Sequence, residues 1–401
     1  MPVHITDASH ALAVAAELSE TFAAEAGERD CGRQLPYEQV HALKDAGLLA
    51  LSVPVEHGGI GAQASVIAEV FRLIAHADAS LAQIPHSHYT FLEAVRLQGS
   101  PDQQAFFYEK VLAGALFANA QSERGPHTID VDTTTLVPTD AGDYLLTGRK
   151  FYSTGALFAD WVIVRASLPE NPAQPPTSST PKALAFVAAG TPGLTVIDDW
   201  DGMGQRTTAS GTVTLDDVRV PAAQVVPFTP IFARPNVYGA RAQLFHAALD
   251  VGIATAALAE GVRQAATARP HFEADVSVAA DDPTLIQVAG DVTVTVRAAQ
   301  ALLAEAGRAV DAATANLDAD SAAEASIAVA VAKVAATRAS LEASTTLFEL
   351  GGTRSASGSA NLSRYWRDAR THTLHDATRW KVHHIGRYTL SGTKPPRHGQ
   401  L

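Results

Sequence analysis

The chain has 401 residues, of which 47% are hydrophobic and 18% are charged, and its net charge is −12 at pH 7. This composition is typical of a soluble protein with two or three domains, and the acidic balance argues against nucleic acid as a partner, because nucleic-acid binding requires a basic face. The single cysteine, Cys31, excludes an intramolecular disulfide, cysteine-based zinc sites and iron–sulfur clusters, and it favours a reducing cytoplasm.

The first region, residues 1–115, is predicted to be an N-terminal helical domain. It opens with "MPVHITDASHALAVAAELSE", whose lack of a basic segment favours an amphipathic helix over a signal peptide. Apolar residues recur at helical spacing in "YEQVHALKDAGLLAL" and in residues 65–99, where Pro85 marks a break. The stretch "EHGGIGA" at 56–62 is predicted to be a turn rather than a phosphate-binding loop, because no strand clearly leads into it. No segment reaches the roughly 18 consecutive apolar residues of a membrane-spanning helix, so no membrane partner is expected.

The second region, residues 116–228, changes to a β-type pattern. Short runs such as "WVIVRASL", "KALAFVAAG" and "SGTVTLDDVRV" are separated by glycine, aspartate and proline turns. Regular short strands of this kind predict a small barrel or sandwich. The stretch "PENPAQPPTSSTP" at 169–181 is predicted to be an exposed loop between strands.

The third region, residues 229–401, is predicted to be a helical bundle domain. Long periodic segments near 239–268, 283–315 and 321–350, with a further one at 360–375 and its continuation, are enough for a four-helix bundle. The stretch "GDVTVTVRAAQ" alternates like a strand, but its valines continue a longer helical stripe, and length therefore favours a helix.

The stretch "RDARTHTLHDATRWK" carries His372 and His375 three residues apart, followed by Asp376. If the segment is helical, both rings share one face, which suits a metal site, a proton-transfer site or a polar seam between packed helices. A metal site built from these three residues has poor geometry, because adjacent residues on a helix diverge, and no metal is predicted.

The order of helices, β-domain and helical bundle, together with "GRKFYSTGALFADWVIV" and "RYWRDAR", resembles the acyl-CoA dehydrogenase fold. The resemblance implies an α+β protein with an N-terminal α-helical domain, a middle β-barrel domain and a C-terminal four-helix bundle. It is closer still to the branch that contains dibenzothiophene monooxygenase, and within that branch to the sulfur-acquisition oxidoreductases associated with dimethyl sulfone. The runs "VIDDWDGMGQRTTASGTVTLDDVRVP", "RDARTHTLHDATRWK" and "PPRHG" carry this closer match.

The two branches differ in chemistry and cofactor. Acyl-CoA dehydrogenases remove a proton with a glutamate, and alignment on Arg367–Arg370 puts Asp376 at that position, with His375 just before it. An aspartate is one methylene shorter, and a displacement of about 1 Å costs on the order of a hundredfold in rate. The adenine-side motifs of those dehydrogenases are also missing around "ELGG" and "ATARPHF", so the resemblance implies FMN rather than FAD.

The resemblance implies three sets of site residues. Around the flavin ring it places Asn119, Ser122, Tyr152, Ser153, Thr154 and His375. At the FMN phosphate it places Arg269, Thr353 and Arg354, reaching across from a neighbouring subunit of a homotetramer. The catalytic residues that it implies are His375, Asn119, Thr154, Ser153 and His88. In this set the His375 imidazole is suited to donate a hydrogen bond or a proton to activated oxygen near pH 7.

Simpler interpretations remain open for most of these residues. The hydroxyl groups could satisfy hydrogen bonds at strand edges, and Arg269 and Arg354 could form surface ion pairs. A packing or hydrogen-bonding role is expected for His372, and a structural role for His383–His384. In the substrate pocket, Gln83 and Ser87 stand where the desulfurising relatives have a histidine and a tyrosine, which favours a smaller substrate than an aromatic heterocycle. His88 matches a histidine of the relatives.

The leading hypothesis is a cytoplasmic, two-component monooxygenase that oxidises a small organosulfur compound with O2 in sulfur acquisition. A separate NAD(P)H:flavin reductase is expected to supply FMNH2, because no Gly-x-Gly-x-x-Gly motif for a nicotinamide cofactor is recognisable after a strand. The alternatives are an FAD-dependent acyl-CoA dehydrogenase with Asp376 as base, and a non-catalytic flavin-binding relative.

Overall fold

Helices make up the N-terminal part of the computed structural model, which describes residues 2–125 and 128–401. In these ranges they are α1 (Ala8–Gly32), α2 (Tyr37–Asp45), α3 (Ala64–Ala77), α4 (Ala79–Gln83), α5 (His86–Gln98) and α6 (Pro101–Leu112). Local chemistry explains their ends: the Asp7 carboxylate caps α1 by accepting from the His10 N–H, and Ser100 forms a capping box with Gln103 on α6. Pro85 separates α4 from α5, and residues 56–62 form no strand or α-helix, so the predicted break and turn are both confirmed.

The middle part is one curled sheet of short strands. They are β1 (Phe117–Ala120), β2 (Thr135–Pro138), β3 (Tyr144–Lys150), β4 (Trp161–Ser167), β5 (Lys182–Ala188), β6 (Leu194–Ile197), β7 (Thr212–Val220) and β8 (Val225–Pro227). The strand order is β6-β7-β3-β2-β4-β5-β8, and β1 pairs with β4 in parallel. Alternate residues of β4 enter two different cores, with Ile163 on one face and Val162 and Val164 on the other. The predicted loop at 169–181 lies between β4 and β5, as expected.

The C-terminal part is helical, which confirms the predicted three-part architecture. Its helices are α7 (Tyr238–Ala265), α8 (Pro283–Ala315), α9 (Ala319–Gly351), α10 (Ser363–His372) and α11 (Thr378–Ser391). The ambiguous valine stretch is helical: Val292 and Val296 are each 2% exposed, whereas Val294 between them is 70% exposed. A strand would have placed all three on one face, so this pattern of exposure follows from the helical repeat.

Helix α7 lies at the centre of the molecule, packed against α3, α8 and α9. By length and composition it is apolar enough to cross a membrane, but 83% of its most apolar window is buried inside the protein. It is therefore a core helix of this fold. Its buried residues also include polar side chains, among them Gln243, His246 and Asp250.

The sheet is joined to the C-terminal helices through the loop between β6 and β7. Gln205 in this loop donates its backbone N–H to the Asp368 carboxylate on α10 at 2.5 Å, and its carbonyl accepts from the Trp200 indole at 2.8 Å. The preceding residue, Gly204, lies directly against the α10 backbone: a Cβ there would be 2.0 Å from the Arg367 carbonyl oxygen.

Substitution Gly204→Ala is therefore expected to lower the free energy of unfolding by about 1–3 kcal/mol, because the loop and α10 must separate to admit the methyl group. Urea denaturation followed by circular dichroism measures the loss. The matched control is Gly290→Ala on α8, where no atom of residues 2–125 or 128–401 lies within 4 Å of the added Cβ. That variant should match the parent or gain slightly in stability, since alanine favours a helix over glycine. Equal unfolding midpoints for the two variants would contradict the proposed contact.

Candidate active site

A tight turn after β3 presents the predicted residues Tyr152, Ser153 and Thr154. Tyr152 adopts a left-handed conformation with φ of 57°, which is uncommon for a residue other than glycine and is maintained only when the surroundings enforce it. Several hydrogen bonds do so: the Ser153 N–H donates to the Gly211 carbonyl at 3.0 Å, and the Asn119 side chain donates to the Tyr152 carbonyl at 3.1 Å. The structure thus brings Asn119 together with the turn.

The two hydroxyl groups of this turn differ in their partners. Thr154 Oγ1 is 2.7 Å from Ser210 Oγ, which is itself 2.7 Å from Thr208 Oγ1, so Thr154 belongs to a buried chain of hydroxyls. Ser153 Oγ is buried and has no hydrogen-bond partner within residues 2–125 and 128–401. Leaving a buried hydroxyl without a hydrogen bond costs about 1–3 kcal/mol. A bound ligand that supplied the missing hydrogen bond would remove this cost.

A buried lysine ties this turn to the end of β1. The Lys150 ammonium donates to the Gln121 carbonyl at 3.1 Å, to Glu123 at 2.7 Å and to Asp132 at 2.9 Å. Burial raises the pKa of Glu123, but the attraction of Lys150 and hydrogen bonds outweigh it and lower that pKa to about 2. Ser122 lies between these partners and forms a β-bridge with Phe151. The network therefore positions Ser122 beside the turn, and sequence analysis did not identify Lys150 as its centre.

A histidine cluster, defined as His86, His246, His372 and His375, lies between α5, α7 and the end of α10. The His86 and His246 rings are stacked, with centroids 3.7 Å apart, and the His375 ring centroid lies 4.3 Å from that of His246. His246 Nδ1 is 3.0 Å from His372 Nε2. The His375 side chain is 49% exposed, whereas the other three rings are buried.

The prediction that one helix carries both His372 and His375 is wrong, because α10 ends at His372 and His375 lies in the following turn. The two rings nevertheless face the same neighbour, His246. The hydrogen bond between His372 and His246 fits the packing or hydrogen-bonding role expected of His372.

Behind the cluster lies an ion pair that sequence analysis missed. Asp250 Oδ1 accepts from His372 Nδ1 at 2.5 Å, and Asp250 Oδ2 accepts from the ammonium of Lys333 on α9. Burial raises the pKa of Asp250, but the attraction of Lys333 and His372 outweighs it and lowers the pKa to about 2, so the carboxylate is ionised. The one available signal was the spacing of His246 and Asp250, four residues apart on the same helix face.

Asp376 is buried beside His375 but is not placed like a general base. Its Oδ2 lies 3.7 Å from His375 Nδ1 and 3.9 Å from Lys381 Nζ, distances too long for hydrogen bonds. Burial raises the pKa of Asp376, but the neighbouring His375 and Lys381 outweigh it and hold the pKa well below its ordinary value. His246, His375 and Asp376 offer donor atoms within 4.8 Å of one another, yet the Lys381 ammonium already provides the positive charge there. The absence of a metal stays a prediction.

The remaining predicted residues lie apart from this centre. His88 is buried: its Nε2 lies 2.9 Å from the Leu49 carbonyl, and its Nδ1 accepts from the Phe117 N–H at 3.1 Å. Both ring nitrogens therefore hydrogen-bond to backbone groups, which fits a structural role. Arg354 donates to the Gln264 carbonyl at 2.6 Å and also to Thr267. Arg269 and Thr353 are exposed at the same surface, where Thr353 begins a short 3₁₀ turn. No hydrogen bond in the described ranges joins this basic surface to the turn at 151–155.

Three family models match successive parts of the chain. They are the acyl-CoA dehydrogenase N-terminal domain at residues 9–115, the middle domain at 117–218 and the C-terminal domain at 244–380. Among curated proteins, the "probable FMNH2-dependent monooxygenase SfnC" of Pseudomonas putida is 33% identical over 395 residues, covering 96% of each chain.

Two solved structures resemble the chain over nearly all of its length. FMN-bound TdsC from Paenibacillus sp. A11-2, a dibenzothiophene monooxygenase, matches with a TM-score of 0.91 and 31% identity, covering 98% of this chain and 100% of that chain. The methanesulfinate monooxygenase MsuC from Pseudomonas fluorescens matches with a TM-score of 0.89 and 31% identity, covering 97% and 99%.

Proposed function

The chain belongs to the acyl-CoA dehydrogenase family, and from that premise we propose that it is an FMNH2-dependent monooxygenase that oxidises a small organosulfur compound with O2. Reduced FMN comes from a separate NAD(P)H:flavin reductase, as the name of the SfnC relative and the FMN in TdsC support. In the full proposal the enzyme is a cytoplasmic homotetramer that serves sulfur acquisition.

One observation carries the choice of a monooxygenase over a dehydrogenase. At the position where dehydrogenases of this fold use a carboxylate base, Asp376 is buried beside Lys381 with a strongly lowered pKa, which makes it a weak base. The half-exposed group at this place is instead the His375 imidazole. An imidazole can hold and donate a proton near neutral pH, which suits a reaction in which one oxygen atom of O2 leaves as water.

The residues of the turn fit a flavin ring. The Ser153 hydroxyl, which has no hydrogen-bond partner in the part of the chain that the structure describes, offers a hydrogen bond to a ligand, and the strained Tyr152 backbone is fixed in advance by Asn119. Reduced FMN (FMNH2), when bound, would supply the two electrons that activate O2. Asn119, Ser122 and the turn at 152–154 hold and orient the ring, and the surrounding sheet and helices exclude water from it.

The FMN phosphate is assigned to Arg269, Thr353 and Arg354. Arg354 is held in place by Gln264 and Thr267, and a fixed guanidinium is well suited to a dianionic phosphate. In the proposed tetramer this surface serves the site of a neighbouring subunit.

The substrate pocket is assigned to Gln83 at the end of α4 and Ser87 in the first turn of α5. Gln83 is buried, and its Oε1 has no hydrogen-bond partner among the described residues, so it offers an acceptor to a polar substrate. The relatives act on compounds as different as dibenzothiophene and methanesulfinate. A polar, unsatisfied pocket wall favours a small sulfur compound over an aromatic heterocycle.

Turnover with a panel of sulfides, sulfones, sulfinates and sulfonates tests this function. Purified protein is mixed with FMN, a flavin reductase, NADH and 18O2, and the products are analysed by mass spectrometry. We expect one panel compound to gain 18O only when both FMN and the reductase are present. Reduction of the protein's flavin by an acyl-CoA without any reductase would instead support the dehydrogenase. Release of hydrogen peroxide alone, with every substrate unchanged, would support a non-catalytic relative.

A further inference from the structure

The histidine cluster is the outer part of a continuous polar chain that begins in the core. From the interior outward it runs through Lys333, Asp250, His372, His246 and His375. The first four of these side chains are at most 2% exposed, and the last is 49% exposed. This polar chain therefore connects a buried ion pair with the half-exposed His375 ring.

The direction of each hydrogen bond in this chain follows from the charge at its inner end. An ionised carboxylate only accepts, so Asp250 requires a proton on His372 Nδ1. A neutral His372 then has a free lone pair on Nε2, which accepts from His246 Nδ1. His246 in turn keeps its proton on Nδ1 and has a lone pair on Nε2.

The neutral state of these rings is supported by their surroundings. Burial lowers the pKa of both His246 and His372, although Asp250 opposes the effect at His372. His86 is stacked on His246 and donates its Nε2–H to the Ala242 carbonyl at 2.9 Å, and burial lowers its pKa to about 3. Two stacked imidazolium rings would repel each other, so at most one ring of this stack is charged, and burial lowers the pKa of both.

We propose that Asp250 is a positioning residue: through His372 it fixes the tautomer of His246, so that His246 Nε2 stays unprotonated and accepts a hydrogen from an N–H or O–H group of a ligand bound beside His375. Lys333 balances the charge of Asp250 and thereby keeps the carboxylate ionised in the interior. The role of the ligand rests on the proposed function, whereas the tautomer is a property of the protein alone.

Packing by itself does not account for this arrangement. A buried ion pair is often no more stabilising than apolar side chains of similar volume, and the surrounding helices α7 and α9 are rich in buried alanine. The titratable groups in and around the cluster come from every element that borders it: His86 from α5, Asp250 from α7, Lys333 from α9, Asp376 from the turn after α10, and Lys381 from α11. Of these, Asp250 alone hydrogen-bonds to an imidazole of the cluster in residues 2–125 and 128–401.

Nitrogen NMR of the protein without flavin tests the tautomers directly. Solid-state spectra of 15N-histidine-labelled protein distinguish Nδ1–H from Nε2–H, and difference spectra against His246→Gln and His372→Gln assign the two rings. We expect Nδ1–H at both positions in the parent protein. An Nε2–H or doubly protonated His246 would overturn the proposal, and this measurement needs no substitution at Asp250.

The double variant Asp250→Asn/Lys333→Met should reverse the direction of the hydrogen bonds between residue 250, His372 and His246. The asparagine amide can donate to His372 Nδ1, which shifts the protons of both rings to Nε2, and the methionine avoids an unpaired buried ammonium. The matched variant Lys333→Met alone retains the accepting carboxylate, and we expect it to be less stable but to keep Nδ1–H on both rings. Because the asparagine oxygen can also accept, the deciding variant is Asp250→Leu/Lys333→Met, whose leucine neither donates nor accepts: Nδ1–H retained on both rings in that folded variant would contradict the positioning role.

The consequence for turnover is measured separately from the tautomers. In the Asp250→Asn/Lys333→Met variant kcat should fall on the order of 10- to 100-fold, with KM and the FMN dissociation constant nearly unchanged, because the His246 ring stays in place but its Nε2 carries a proton and no longer accepts one. Reversed tautomers with an unchanged kcat would overturn the ligand role of His246. If the parent protein shows the expected tautomers but oxidises no sulfur compound, the proposed function fails and the role of Asp250 in fixing the tautomer stands.

Discussion

Substitution His375→Ala is expected to reduce product formation by about 10²–10⁴-fold, the range lost when a positioned acid–base group is removed. The ring is half-exposed, follows the end of α10 and lies 4.3 Å from the buried His246 ring, so it is held in place without being closed off from a ligand. Oxygen consumption should continue, because flavin oxidation by O2 does not need this group, but it should become uncoupled from sulfur oxidation. Product mass spectrometry and hydrogen peroxide assays measure the two rates.

Flavin binding separates this role from a purely structural one. The FMN dissociation constant of His375→Ala, measured by fluorescence quenching, should stay close to that of the parent, since the turn at 152–154 is fixed by other residues. The matched control is His383→Ala, whose exposed ring packs on Trp380 at a centroid distance of 5.2 Å on α11. That variant should oxidise substrate like the parent. Coupled turnover retained in His375→Ala would remove this residue from the mechanism.

Substitution Lys150→Met is expected to lower the free energy of unfolding by about 3–5 kcal/mol, because it leaves the buried Asp132 and the partly buried Glu123 without their shared cation. Glu123 and Asp132 both accept hydrogen bonds from Lys150. In the variant the Arg165 guanidinium, which donates to Asp132 at 2.7 Å, would still balance the charge of Asp132 but not that of Glu123. Since the same ammonium holds the Gln121 carbonyl, the end of β1 should also loosen, and FMN should bind more weakly. Urea denaturation and FMN titration measure the two effects.

The stability lost in Lys150→Met should depend on pH in a defined direction. The pKa of Glu123 is lowered to about 2 in the folded protein, against about 4.3 in an unfolded chain. A lowered carboxyl pKa stabilises the fold above the unfolded value, and this contribution disappears as the pH falls through the folded value. The difference in free energy of unfolding between parent and variant should therefore be largest above about pH 4.5 and shrink as the pH falls towards 2.

The matched control for this substitution is Lys394→Met. Lys394 forms an ion pair with Asp320 at 2.7 Å, but both side chains are exposed, and exposed pairs contribute about 0–1 kcal/mol. An equal loss of stability in the two variants would show that burial of the Lys150 network is unimportant.

The fold was predictable because its signals are local. Apolar periodicity separated the helices from the strands, and even the alternating valines of α8 were assigned correctly once the longer stripe was considered. Pro85 and the loop at 169–181 marked breaks that the structure confirms. The order of the three regions, with the motifs near residues 150 and 367, then led to the family.

The interior of the site was less predictable because it depends on pairs distant in sequence. Asp250 and Lys333 are 83 residues apart, and only the packing of α7 against α9 brings them together. A lysine in an alanine-rich helix ordinarily indicates a solvent-facing position, so its sequence context conceals the burial of Lys333. His88 shows the opposite problem: it matches a histidine of the relatives, yet backbone groups occupy both of its nitrogens.

The central position of α7 has a consequence for synthesis of the protein on the ribosome. The helix ends at Ala265, while α9, against which it packs most extensively, is complete only at Gly351. A nascent chain of intermediate length therefore presents an apolar segment, long enough to enter a lipid bilayer, before its covering partner has been made. We therefore expect α7 to stay without this packing partner during the interval in which roughly 85 residues are added, when exposed apolar surface favours aggregation.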